Sequence, residues 1–161
     1  MSRGSFLNRK RFAQVGEGLI YHLLVSNHYT VYQHDNSQHP IDMIAFDRNN
    51  HPLAVEVKIR SRLNKYNGFG ISLRHYKTYL NFQHKTNISV VIFFINYDEG
   101  VVYGNYLNEL AKPTVEFTNN GVIEYPVKTA RFIIFSCENM REVARISDIL
   151  TDNVKNLGLG V

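Results

Sequence analysis

Three consecutive blocks of sequence decide the reading of this chain: Ile41-Asp42-Met43-Ile44-Ala45-Phe46, then Asp47-Arg48-Asn49-Asn50-His51-Pro52, then Leu53-Ala54-Val55-Glu56-Val57-Lys58-Ile59. The middle block is a turn signal between two apolar runs, so the pattern predicts a β-hairpin over 41–46 and 53–59. Side chains alternate across a strand, which puts Glu56 and Lys58 on one face and Val55, Val57 and Ile59 on the other. Asp42 opens the first strand. Two carboxylates and an ammonium planted in apolar strands are costly unless they pair or hold a metal ion. The constellation suits metal-assisted phosphodiester hydrolysis. A plain salt bridge at a strand end is the competing reading, and it would give stability without chemistry.

Upstream, Phe12, Val15, Leu19 and Leu23 recur at helical spacing and predict a helix over 9–26, after a flexible start at 1–8. Glu17 lies beside that stripe, between Gly16 and Gly18. Each glycine costs about 1 kcal/mol in a helix interior, so the pair predicts close approach by a strand or a ligand, or a tolerant packing contact. Tyr29-Thr30-Val31-Tyr32 reads as a short strand, with a polar loop to Pro40.

Downstream, 60–70 reads as a basic loop, and Ser72 caps a helix to about Lys85. Leu73, Tyr76 and Leu80 form its inner side, and Arg74, Lys77, His84 and Lys85 its basic outer side. Residues 88–97 form a continuous apolar strand of central type. Then come a strand at 101–106, a short helix at 107–111, and a hairpin of 114–118 and 122–127 around Asn119-Asn120-Gly121. A strand at 131–135 and a helix from about 138 to 156 complete the chain. Met140, Val143, Ala144, Leu150 and Val154 would be the buried stripe of that helix, and Gly158 its stop. Helix, strands, helix, strands, helix predicts an α/β mixed sheet with helices packed against it, as one domain over 1–161.

Hydrophobic content of 44% and charged content of 20% fit a globular chain. The longest apolar run, 90–95, is too short to span a membrane, and the basic N-terminus lacks an apolar core for a secretory signal. The lone Cys137 excludes an internal disulfide and fits a reducing, cytoplasmic setting. Net charge is +4, and nine of the fourteen acids lie from Asp98 onward. From Val57 to Tyr97 there is no acid but seven basic residues, Lys58, Arg60, Arg62, Lys65, Arg74, Lys77 and Lys85. Arg3, Arg9, Lys10 and Arg11 add a second acid-free cluster. This segregation predicts a polyanion partner at the hairpin; a solvated basic face is the alternative. The seven histidines show no tight zinc spacing, with His39 alone close to Asp42 in sequence. With no glycine-rich phosphate loop bearing a lysine, no nucleotide cofactor is expected.

A helix with Glu17, a strand with Asp42, a strand with Glu56-x-Lys58 and a following helix together resemble the PD-(D/E)XK nuclease superfamily, over roughly residues 9–97. Within it the layout is most similar to archaeal-type Holliday junction resolvases and related small endonucleases. The shared points are size, the early helix glutamate and the basic stretch after the lysine. One departure is the proline before the first acid, offset by one position in Pro40-Ile41-Asp42.

The resemblance implies a restriction-endonuclease-like αβββαβ core with a mixed, twisted sheet flanked by helices. A C-terminal β-hairpin, strand and helix would elaborate it from 98 to 161. It implies a Mg²⁺-dependent DNA endonuclease, with Mn²⁺ substituting, acting on branched or duplex DNA in recombination or repair. Asp42 and Glu56 would offer carboxylate oxygens to the ion and Val57 its carbonyl, with Glu17 joining directly or through water. Lys58 would orient or deprotonate the attacking water. Arg60, Arg62, Lys65, Arg74 and Lys77, with Arg9, Lys10 and Arg11, would contact phosphates, and Tyr66 and Phe69 are candidates to stack on bases. Symmetric cutting of a four-way junction would need a homodimer, joined through 88–95 or the C-terminal β-rich part. A restriction, defence or mobile-element nuclease, or a non-catalytic nucleic-acid-binding module, are the alternatives.

Overall fold

The computed structural model describes residues 3–33 and 39–156, with side chains for 11–33 and 39–151. The chain begins with α1 (Arg3–Ser26), β1 (Thr30–Gln33), β2 (Met43–Phe46), β3 (Pro52–Ile59), β4 (Gly68–Ser72), α2 (Leu73–Thr86) and β5 (Ser89–Asn96). It continues with β6 (Val101–Tyr106), α3 (Leu107–Leu110), β7 (Thr114–Thr118), β8 (Gly121–Tyr125), β9 (Val127–Lys128), β10 (Phe132–Ser136), β11 (Arg141–Arg145) and α4 (Ile146–Asn156).

Six strands form one mixed sheet in the order β1-β2-β3-β5-β6-β11. The β3/β5 pair is parallel and the other pairs are antiparallel. A parallel pair needs a crossover, and α2 supplies it. α1 covers one face: Leu19, Ile20 and Leu24 pack with Met43, Ala45, Val55, Phe93 and Ile95. The other face, with Ala54, Ile92 and Phe94, is covered by Tyr79 of α2 and by a small β4-β10-β9 sheet carrying Phe69, Ile71, Ile133 and Phe135. β5 is therefore buried on both faces, which explains its unbroken apolar sequence. That burial also removes 88–95 as a dimer surface.

Several expectations shift. Residues 3–8 are helical rather than a flexible start. Leu19 and Leu23 pack into the layer as read, but they share it with Gly16, Ile20 and Leu24, while Phe12 and Val15 are exposed. The cause is Gly16, where a Cβ would lie 2.8 Å from Ile59 Cδ1 and 3.2 Å from Ile95 Cδ1. The close approach predicted from the glycine pair is thus made by strands, and at Gly16 alone, for Gly18 faces open space. On α2 the buried residue is Tyr79, while Leu80 is exposed. The segment read as a loop contains β4, whose Phe69 and Ile71 alternate inward against β10. Phe69 is fully buried and stacks on Phe94, so it is a core residue and not a base-stacking one.

The last helix is shorter than read. Residues 141–145 form β11 instead, pairing with β6 and covering its open edge. Ile149 is its buried contact, whereas Val143 and Leu150 are exposed. The Val154 side chain and Gly158 lie outside the described residues. The hairpin forms, with its second strand at Gly121–Tyr125 rather than 122–127, since Val127 and Lys128 pair with β10; Phe117 lies opposite Val122, and Gly121 has φ +123°, a conformation that favours glycine.

Candidate functional site

The site forms where β2 starts later than β3 needs. Met43 pairs with Val55, and Asp42, one residue earlier, still donates its N–H to the Val55 carbonyl at 3.1 Å. Beyond that point β3 has no β2 partner. The Asp42 side chain substitutes for one, Oδ2 accepting the Val57 N–H at 2.8 Å. Strand N–H and C=O groups of one residue point to the same side, so the Val57 carbonyl also faces the side from which Asp42 approaches. Ile41, fully buried, and His39, whose Nδ1 lies 3.1 Å from the Ile41 carbonyl oxygen, fix the approach of Asp42. His39 is therefore a support of the site's edge.

Glu56 projects from the opposite face to Val55 and Val57 and is buried at 4% exposure. Its Oε1 accepts hydrogen bonds from the Lys58 ammonium and from the Tyr79 hydroxyl, the latter at 2.7 Å. Burial raises the Glu56 pKa to about 7; Lys58 opposes the rise, and the charge of Asp42 adds to it. A carboxyl beside a second carboxylate in a desolvated place resists ionisation until a cation arrives. Tyr79 is itself pushed up by burial and by Glu56, so it stays a donor.

His75 sits one turn before Tyr79 on α2 and stacks on its ring, centroids 6.0 Å apart at 27°. Its pKa is lowered by burial, then by the charges of Lys58, Arg74 and Arg60, so the imidazole is neutral at pH 7. His75 and Tyr79 escaped the sequence reading. Their signal was present: with Ser72 as N-cap, confirmed by its hydroxyl accepting the His75 N–H at 3.2 Å, they lie at i and i+4 on one face.

Glu17 comes from α1 rather than from the β2/β3 hairpin. That helix packs on the Val57/Ile59 face of β3, and its Phe12 and Ala13 line a cleft with Lys58 and Arg60. Among the described residues no three His, Cys, Asp or Glu side chains gather in a cation geometry. Of the expected trio, Asp42 and Glu56 meet at the β2/β3 fork. That pair still suits Mg²⁺, which is commonly held by one or two carboxylates with waters and substrate phosphates completing the shell.

The basic residues divide. Arg60, Lys65, Arg74, Lys77 and Arg11 are exposed. Arg62 instead makes two hydrogen bonds of 2.9 Å to the Glu99 carboxylate, one of 2.7 Å to Asn67 Oδ1 and one of 3.1 Å to the Tyr103 hydroxyl. Ser61 donates to Asp98 at 2.6 Å. Acids distant in sequence thus fold back onto the basic loop and anchor it. The side chains of Arg9 and Lys10 lie outside those described.

Hjc of Archaeoglobus fulgidus, a Holliday junction resolvase from an archaeal hyperthermophile, superimposes with a TM-score of 0.57. The match has 14% identity and covers 81% of this chain and 96% of that one. D212, a nuclease from a fusselovirus, aligns over 96% of this chain and 94% of its own, at 10% identity and a TM-score of 0.41. No protein-family model and no curated protein matches the sequence. The helix, the β2/β3 hairpin, the crossover helix α2 and the parallel β3/β5 pair give this chain a restriction-endonuclease-like fold, similar to that of Hjc.

Proposed function

We propose that this chain is a divalent-metal-dependent nuclease that hydrolyses DNA phosphodiesters at the β2/β3 fork. The observation that carries the reading is Glu56: buried, set against Asp42, and held by Lys58 and Tyr79 on an otherwise apolar strand. Asp42, Glu56 and the Val57 carbonyl would hold the cation. When bound, it would lower the pKa of water and offset charge on the phosphate. Tyr79 aims the Glu56 carboxylate. Lys58, two residues along the same face, orients the attacking water or, in its neutral form, takes its proton. Arg60 and Arg74 hold the phosphate oxygens. Arg74 in the first turn of α2, with no acid beside it, is electrostatically unfavourable unless an anion binds there.

Resemblance to Hjc favours branched DNA as substrate, and a symmetric cut there carries a two-fold dimer with it. A restriction, defence or mobile-element nuclease would use the same chemistry on other DNA. The test is a cleavage panel of four-way junction, flap, duplex, single strand and RNA, with Mg²⁺, Mn²⁺ or EDTA. Wild type should cut with metal only, and Lys58→Ala should bind but not cut. Equal cutting by Lys58→Ala would discard the mechanism. Salt-sensitive binding with no cutting under any condition would leave a binding module.

A further inference from the structure

Three clefts follow one another away from Lys58. The first, about 300 Å³, is lined by Phe12, Ala13, Lys58 and Arg60. The second, about 440 Å³, takes over at Arg60 and runs along Leu63, Asn64, Lys65 and Tyr66 to Phe132. The third, about 660 Å³, shares Leu63 to Tyr66 with the second and is closed on its far side by the β7–β8 hairpin, from Glu116 to Ile123. Each is within the ~300–1,000 Å³ span of ligand pockets. Shared lining residues, Arg60 and then Leu63 to Tyr66, link the three into a trough, of which the nuclease reading uses only Val57, Lys58 and Arg60.

The chemistry of the trough changes along its length. At Lys58 and Arg60 it is cationic. In the middle it is apolar, with Leu63 39% and Phe132 48% exposed. At the hairpin it is rich in side-chain amides: Asn64, Asn67, Asn119 and Asn120, with Thr118 beside them. Its charges there are mostly spent, since Arg62 is bound by Glu99 and Glu116 accepts from the Tyr125 hydroxyl at 2.7 Å. Among the described residues the amides of Asn64, Asn119 and Asn120 make no hydrogen bond with another group of the chain.

From this gradient, and resting on the nuclease reading of the Asp42/Glu56 centre, we infer that the trough binds unpaired nucleotides flanking the cut site. A duplex shows the protein phosphates and groove edges and hides its base faces. An unpaired strand offers base faces to Leu63 and Phe132 and base edges to the amides. Amide side chains present a donor and an acceptor together, which matches base edges and not phosphates. Exposed aromatic side chains such as Phe132 serve as platforms for unstacked bases, with Leu63 adding apolar contact beside it. The substrate class is therefore a nucleic acid with a single-stranded segment adjoining the scissile bond.

The test is equilibrium binding of the full chain, in EDTA, to labelled oligonucleotides. A blunt duplex is compared with the same duplex bearing a short single-stranded flank of DNA or of RNA. Wild type should favour the flanked form about tenfold, the size of one good base-edge contact. Asn119→Asp with Asn120→Asp keeps residues that suit the turn while adding two negative charges to the trough. It should bring the preference close to one, and Asn64→Ala should do so in part. Thermal melts establish that both variants fold. A wild-type preference near one, or a preference both variants keep, overturns the inference while leaving the nuclease reading standing. Absence of salt-dependent binding to every oligonucleotide defeats both. The DNA and RNA flanks show which nucleic acid the trough accepts.

Discussion

The two faces of β3 have opposite chemistry, although their residues alternate along one strand. Val55, Val57 and Ile59 meet α1 in an apolar layer closed by Gly16. On the opposite face Glu56 and Lys58 bond each other, Tyr79 donates to Glu56 beneath the His75 ring, and Asp42 takes the Val57 N–H at the strand edge. One face is good at staying folded. The other holds an ionisable carboxyl that burial opposes, a cost that persists only where something else recovers it. The contrast locates chemistry and stability on opposite sides of one backbone, so variants of the two sides should fail in different assays.

The largest effect is expected on the polar face. Asp42→Asn and Lys58→Ala should each lower the single-turnover cleavage rate by ~10²–10³-fold, comparable to removing a preorganised electrostatic group. Far-ultraviolet spectra should be unchanged. On the apolar face Ile95→Ala, which empties space beside Gly16, should cost about 3 kcal/mol in denaturant unfolding. The cleavage rate per folded molecule should hold. If Ile95→Ala abolishes chemistry in the folded protein while Lys58→Ala does not, the division between the faces is wrong.

That division could be read from sequence because it depends on local alternation at 53–59 and on one turn. Five of the six strands of the sheet around it were legible for a related reason: strands such as 88–97 announce double burial by composition. What escaped was set by tertiary partners. β4 is interrupted by Gly68 and Gly70, which weaken a period-two signal; at Gly68 a Cβ would lie 2.1 Å from the Phe135 carbonyl oxygen. β11 looked helical because Met140, Val143 and Ala144 happen to fit a helical stripe, and only the open edge of β6 decides otherwise. Tyr79 was hidden by its neighbour Leu80, since amphipathic counting favours the leucine while the hydrogen bond to Glu56 favours the tyrosine.

The polar face can be tested by pH. Glu56 has a folded pKa of about 7 against 4.5 for the free group. A raised folded pKa means the stabilising contribution is complete below about 4.5 and is lost as pH rises through about 7. By linkage the loss is about 3 kcal/mol. Metal-free wild type should therefore melt lower at pH 8 than at pH 5 by this contribution, and Glu56→Gln should flatten the slope. Adding Mg²⁺ at pH 8 should recover wild type and leave Glu56→Gln unmoved. Parallel pH curves for the two proteins would remove Glu56 as the desolvated member of the pair.

The smallest effect repeats the same contrast two residues apart. Arg60 is exposed beside the centre, and its charge reaches His75. Arg62 is spent on Glu99, Asn67 and Tyr103. Sequence composition counts them equally as phosphate contacts, whereas the structure gives Arg62 an intramolecular task. If Arg60 neutralises one phosphate, Arg60→Ala should reduce the slope of log binding constant against log salt by about 0.9. Arg62→Ala should leave that slope unaltered and instead loosen the 60–67 loop, read as faster amide exchange at Leu63, whose N–H is bonded to the Gly68 carbonyl at 3.1 Å. Equal slope changes for both arginines would mean that the Arg62–Glu99 pair opens when nucleic acid binds, and the basic loop would then act as the undivided cationic patch that its sequence suggests.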